Sequence, residues 1–150
     1  MTKLTIESPF SARFMAWVHE RFPLPHAVLF FVLYGTAAVV GRALTGTGVV
    51  SLGLPDLAGF FAAWSFFLML RVFDEHKDFE LDLSNHPERV LQRGLITRKH
   101  LKVAASLAII IQLGASLSFD GGTGPVTCWW LLVIGWSGLM AKEFFCGAWL

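Results

Sequence analysis

Leu57-Ala-Gly-Phe-Phe-Ala-Ala-Trp-Ser-Phe-Phe-Leu-Met-Leu-Arg-Val-Phe73 runs directly into Asp74-Glu-His-Lys-Asp-Phe-Glu-Leu-Asp82. The first stretch carries one charge, Arg71 at its end, and in the second nearly every residue is ionisable. An apolar run of ~17 to 25 residues is what an α-helix needs to cross the hydrocarbon core of a bilayer, so the abrupt edge reads as a membrane boundary. Nothing alternates with the period of two that a membrane barrel requires, and a helix satisfies its own backbone groups in lipid.

Working outward, residues 27–44, 101–119 and 125–141 are equally apolar. The expectation is an all-α, integral membrane helical bundle of about four transmembrane helices. It forms one membrane domain over residues 1–150, with residues 1–25 as a cytoplasmic or interfacial leader and 26–150 holding the four spans. Composition agrees: 55% of residues are hydrophobic, only 15% are charged, and the mean hydropathy is +0.59, whereas soluble domains are about 25% charged. Pro25 and Pro55 stand at helix starts, where a missing N–H costs nothing. Gly46, Gly48 and Gly53 break the first pair of helices, and Asp120, Gly121, Gly122, Gly124 and Pro125 break the second.

The connection 74–100 is different, with about 27 residues of mixed charge, long for a helical bundle and therefore a functional candidate. Lys3, Arg13 and Arg21 precede the first span. Arg71, Lys77, Arg89, Arg93, Arg98, Lys99 and Lys102 lie at or within this connection, and Lys142 follows the last span. Only Arg42 falls on the other side, so the positive-inside rule puts both termini and the loop 74–100 in the cytoplasm. No short apolar core with a small-residue cleavage site opens the chain, so no signal peptide is expected. Phe10, Phe14 and Trp17 recur at helical spacing beside Arg13 and Arg21, compatible with a helix on the cytoplasmic interface or a partly ordered leader. Cys128 and Cys146 lack any metal-ligand spacing and read as packing residues.

Asp74, Asp78 and Asp82 recur every four residues. On a continued helix they form one carboxylate stripe, each step rotating about 40° around the axis. Such a stripe at a membrane edge suits Mg²⁺, which takes one or two carboxylates together with substrate phosphates and water. Arg89 and Arg93 follow within reach, and arginine clamps phosphate oxygens bidentately. The plainer alternative is a solvated helix end in which Asp74 with Lys77, or Lys77 beside Asp78, forms ordinary surface pairs. His76 sits among the acids as a possible proton carrier or a hydrated neighbour.

At these residues the chain resembles the UbiA superfamily of intramembrane prenyltransferases, whose signature reads N-x-x-x-D-x-x-x-D followed by N-x-P-x-R-P-L-x-x-G. Here it appears as Asp74, Asp78 and Asp82, then Asn85, Pro87, Arg89, Leu91 and Gly94, with Asp74 in place of Asn and Val90 in place of Pro. The resemblance implies Mg²⁺ held by Asp74, Asp78 and Asp82, and a prenyl diphosphate contacted by Arg89 and Arg93. It also implies transfer of the prenyl group to an aromatic or other lipophilic acceptor. Phe30, Phe31, Phe60, Phe61, Trp64, Phe66, Phe67, Trp129, Trp130 and Trp136 would line an isoprenoid tunnel, or else serve as ordinary core and lipid-facing residues.

Members of that family are about twice as long and carry a second acidic motif. After Lys102 the acids here are Asp120 and Glu143. The expectation is an amino-terminal half-bundle that pairs with a complementing half or with itself, in contact with the lipid bilayer. A non-catalytic scaffold or transport subunit with a cation-binding acidic loop is the alternative, although an ion pathway predicts acids within the spans rather than at one edge. The interleaved Gly/Ala/Arg motif of CDP-alcohol phosphotransferases is absent, and basic residues mixed with acids between spans give no support to nucleic-acid binding.

Overall fold

The computed structural model describes residues 4–46 and 51–143. Lys3, Gly48, Cys146, Trp149 and Leu150 lie outside the described residues, as do the side chains of Lys142 and Glu143. The described chain is all-helical: α1 (Phe10–Arg21), α2 (His26–Thr45), α3 (Leu54–Lys77), α4 (Phe79–Asn85), α5 (Arg98–Asp120) and α6 (Pro125–Glu143). Three of these, α2, α3 and α5, are long and apolar enough to cross a membrane. The expected all-α bundle with membrane-length helices is therefore found, with three such helices among the described residues. The apolar part of α6, Pro125–Ala141, is shorter and reaches about 25 Å, against a hydrocarbon core of about 30 Å.

The helices start and stop where the sequence chemistry dictates. Pro25 precedes α2 and Pro55 lies in the first turn of α3, while Gly46 and Gly121 close α2 and α5 with φ of 70° and 65°. Thr97 caps α5 by accepting from the His100 N–H. Asp120 spans the tight α5–α6 turn, accepting from the Thr127 N–H at 2.7 Å and from Val126 N–H at 3.3 Å. It thereby satisfies two of the orphan donors at the start of α6.

Neighbouring helices run antiparallel. Phe30 stacks on Phe67 with ring centroids 4.3 Å apart, and Phe31 meets Phe60 edge-on at 5.2 Å. Close approach of α2 to α3 requires glycine at position 59, because any Cβ there would collide with the Tyr34 ring end. Beyond these contacts α2 is almost unpartnered: Gly35 is its buried residue, and Val28, Leu29, Val32, Leu33 and Leu44 face outward. That face would be an association patch in water and is an ordinary surface in lipid. Cys128 is exposed on α6, so it does not pack inside the described residues as expected.

The best-packed core lies at the charged end of the bundle. Trp17 and Val18 of α1, Met69 and Val72 of α3, Val90, Leu91, Leu95 and Ile96 of the connection, and Leu101, Ala105 and Ala108 of α5 form one cluster. Where this cap meets water, burying each large side chain contributes roughly 1.5–3 kcal/mol. The region expected to be a loop is therefore folded. The expected amphipathic leader is a helix, but its aromatic face turns onto protein, with Trp17 fully buried. Arg13 donates to Leu95 O at 2.8 Å, Arg93 donates to Leu4 O at 2.8 Å, and Phe10 meets His100 edge-on at 4.8 Å.

Candidate functional site

The backbone carries the aspartate repeat almost as the sequence reads. Asp78 N–H bonds to Asp74 O, Asp82 N–H to Asp78 O, and His86 N–H to Asp82 O, all at 2.8 Å. These are i to i+4 helical bonds. Asp78 itself departs from helical geometry, with φ −91° and ψ 8°, and marks the break between α3 and α4. The three carboxylates sit on successive turns without converging. Asp74 is open to solvent, 3.8 Å from Arg71 Nη1, whereas Asp82 turns inward and is buried.

An arginine network explains that inward turn. Asp82 Oδ2 lies 2.5 Å from Arg89 Nη1 and 3.4 Å from Arg21 Nη2. Glu75, almost wholly buried, is paired with Arg21 and lies 3.4 Å from Arg71 Nη2. A carboxylate leaves water only when paired and hydrogen-bonded, and here three arginines from α1, α3 and the connection supply the pairing. Glu20 completes the rim by accepting from the Val90 N–H at 3.3 Å. Partial burial holds its carboxyl above the usual value of 4.5, against the lowering by that hydrogen bond and by Arg21 and Arg89.

Of the residues expected to contact a diphosphate, Arg89 is thus bound to Asp82 and Arg93 to the backbone near the amino terminus. Gly94 explains its place in the motif: its φ of 72° closes a turn in which its N–H bonds to Leu91 O, returning Leu95 and Ile96 to the core. These partners come from segments far apart in the chain. Arg21 stands 54 residues from Glu75 and 61 from Asp82.

Two clefts open beside this cap, both bounded by α6. One, of about 280 Å³, runs from Asp74 and Lys77 along Leu70 and Phe73 to Trp136, Ser137 and Met140. The other, of about 630 Å³, has His76, Arg98 and Lys102 at its charged end and Val72, Ala105, Ile109 and Gly138 along its walls. His76 Nδ1 donates to Val72 O at 2.8 Å, and its Nε2 is buried with no hydrogen-bond partner among the described residues. Arg98 stacks over Phe79 with 4.4 Å between guanidinium and ring centroid, which orients it at the α4–α5 junction. Sequence reasoning counted Arg98 and Lys102 for topology only. Their i to i+4 spacing on the first turns of an apolar helix is the signal that marks them out.

The aromatic residues expected to line one tunnel are distributed instead. Phe30 with Phe67, Phe31 with Phe60, and Phe66 with Trp130 mediate helix packing, while Trp129 and Trp136 are exposed.

Among the described residues, no three His, Cys, Asp or Glu side chains stand close enough to hold a metal ion. Because Asp82 faces arginine, the donor set does not fit a cage of three aspartates. It fits an ion brought in by a diphosphate, since Mg²⁺ needs one or two protein carboxylates beside phosphate oxygens, and Asp74 stands exposed in the smaller cleft. Comparison of the chain with known protein families, curated proteins and solved structures found no match.

Proposed function

We propose that the chain is the diphosphate-holding half of a UbiA-like intramembrane prenyltransferase, transferring a prenyl group from a prenyl diphosphate to an aromatic or lipophilic acceptor. In this reading the charged cap and both termini lie in the cytoplasm, α6 serves as a fourth, tilted or locally thinned span, and a complementing half or second copy completes the cavity. The observation that carries it is the polarity gradient in the two clefts along α6. Each has ionic groups at one end and apolar walls leading away from them. A prenyl diphosphate has the same gradient, an anionic head on a hydrocarbon tail.

Lys77, Arg98 and Lys102 supply positive charge where negative charge grows on the departing diphosphate. Asp74, with Asp78 one turn on, would hold Mg²⁺, which when bound neutralises that same charge. Val72, Ala105, Ile109 and Gly138 exclude water from the tail. His76, with Nδ1 donating to Val72 O, leaves Nε2 as a hydrogen-bond acceptor at the charged end of the larger cleft.

The test is binding of farnesyl diphosphate to the full chain in nanodiscs, with and without Mg²⁺. Metal-dependent binding that disappears in Asp74→Ala/Asp78→Ala supports the proposal, and binding indifferent to both metal and substitution contradicts it. A second reading, a non-catalytic membrane subunit, is favoured by the pairing of Asp82 and Glu75 with arginines, which needs no ligand. Absence of any diphosphate binding would favour that subunit.

A further inference from the structure

Most arginines of the cap are satisfied within it. Arg21, Arg71 and Arg89 are paired with Glu75 or Asp82, and Arg13 and Arg93 donate to backbone carbonyls. Arg98 and Lys102 differ: both are exposed at the start of α5, and neither has an acidic partner among the described residues. The first turn of α5 holds no acidic residue, although the positive end of a helix dipole favours anions and disfavours cations. Arg98, Lys102 and Ser106 recur every four residues and therefore share one face of α5, and all three line the larger cleft along α6, whose lining holds no carboxylate. Ala105, Ile109 and Gly138 continue that lining as apolar walls. A Cβ added at Gly138 would meet no atom within 4 Å, so the wall is open there. From Arg98 to Ile109 a helix rises about 16 Å, close to half of a hydrocarbon core of about 30 Å, which is the depth of one lipid leaflet.

We propose that the larger cleft holds an anionic glycerophospholipid of the surrounding bilayer, bound without metal. Arg98 and Lys102 donate to the phosphate oxygens, and the Arg98 guanidinium is already oriented by its stacking over Phe79 at 4.4 Å. The Ser106 hydroxyl, one turn further along, donates to an ester carbonyl, and an acyl chain lies along Ala105, Ile109 and Gly138. Two cations without acidic partners match a phosphate head, and a lining without carboxylates offers Mg²⁺ no protein ligand of the kind it takes, unlike the smaller cleft at Asp74. The site rests on the geometry of α5. Its consequence, that such a lipid competes with a prenyl diphosphate for this cleft, rests on the proposed function.

The experiment titrates dioleoylphosphatidate and the zwitterionic dioleoylphosphatidylcholine into the full, delipidated chain in detergent. EDTA is present and prenyl diphosphate is not, so failure of the prenyl-transfer reading and failure of this one are separate results. Phosphatidate is expected to bind about tenfold more tightly than phosphatidylcholine. Arg98→Gln/Lys102→Gln is expected to erase that preference, whereas Lys99→Gln, at an exposed neighbour outside the cleft lining, is expected to keep it. Gly138→Leu, which fills the open wall and alters no charge, is expected to weaken phosphatidate binding by about tenfold. Ser106→Ala is expected to weaken phosphatidate by about threefold and to leave octadecyl phosphate, which has no ester, unchanged. Thermal midpoints check that each variant is folded. Equal binding of the two phospholipids, a preference lost equally in Lys99→Gln, or binding indifferent to Gly138→Leu overturns the proposal. Glycerol 3-phosphate binding as tightly as phosphatidate overturns the assignment to a lipid, and a Ser106→Ala effect that is the same for both chain-bearing phosphates overturns the ester contact.

Discussion

Arg89 Nη1 lies 2.5 Å from Asp82 Oδ2, joining the connection to the buried face of α4. Truncating the arginine leaves a buried carboxylate with the more distant Arg21 as its partner. Arg89→Ala is expected to cost about 2 kcal/mol, the penalty for stranding a charged hydrogen-bonding group. Together with Asp82→Ala it is expected to cost at least about 1 kcal/mol less than the two single losses summed, because the pair acts as a unit. Equilibrium unfolding of the four proteins in mixed micelles measures both.

Glu20 gives the cap a pH dependence. Its carboxyl is held above the ordinary value of 4.5 chiefly by burial, so the folded cap binds a proton more tightly than the unfolded chain does. Stability from this group is therefore lost as pH rises through the window that begins near 4.5. Amide exchange in α1 is expected to accelerate relative to the intrinsic rate across that window, and Glu20→Gln is expected to flatten the response.

Gly59 and Tyr34 form a steric lock between α2 and α3. A methyl group at position 59 collides with the Tyr34 ring end, so Gly59→Ala is expected to destabilise the bundle by about 1–3 kcal/mol through overpacking. Tyr34→Leu withdraws the ring end and is expected to recover most of that loss. Thermal unfolding of the two single variants and the double variant checks this.

The spans were readable because a membrane helix is a local property: apolar length with a start signal and a closing glycine suffices, as with Pro25 and Gly46 around α2 or Thr97 and Gly121 around α5. The packing of the cap was not. Trp17, Leu95 and Ile96 look like an interfacial aromatic and two loop residues until the chain folds them against Met69 and Leu101. The spacing of Asp74, Asp78 and Asp82 predicted their successive turns correctly. It carried no information on Arg21, which comes from α1 to claim Asp82 and Glu75.

Asp120 ties the start of α6 to the end of α5 through its bonds to Val126 and Thr127. Asp120→Ala removes both and is expected to cost about 1 kcal/mol, as loss of a helix cap does. Since α6 bounds both clefts at the cap, the same substitution is expected to weaken farnesyl diphosphate binding without touching a charged residue at the diphosphate end. Unfolding and binding titrations on one preparation test the two effects together.

The most direct test of the central claim is to locate the bound substrate by photo-crosslinking with a prenyl diphosphate carrying a diazirine on its tail, followed by peptide mapping. The account predicts Mg²⁺-dependent labels on the walls of the α6 clefts, at Ala105, Ile109, Trp136 and Gly138, competed by unlabelled farnesyl diphosphate. Labels spread over the lipid-facing surface of α2, insensitive to metal and competitor, would contradict it.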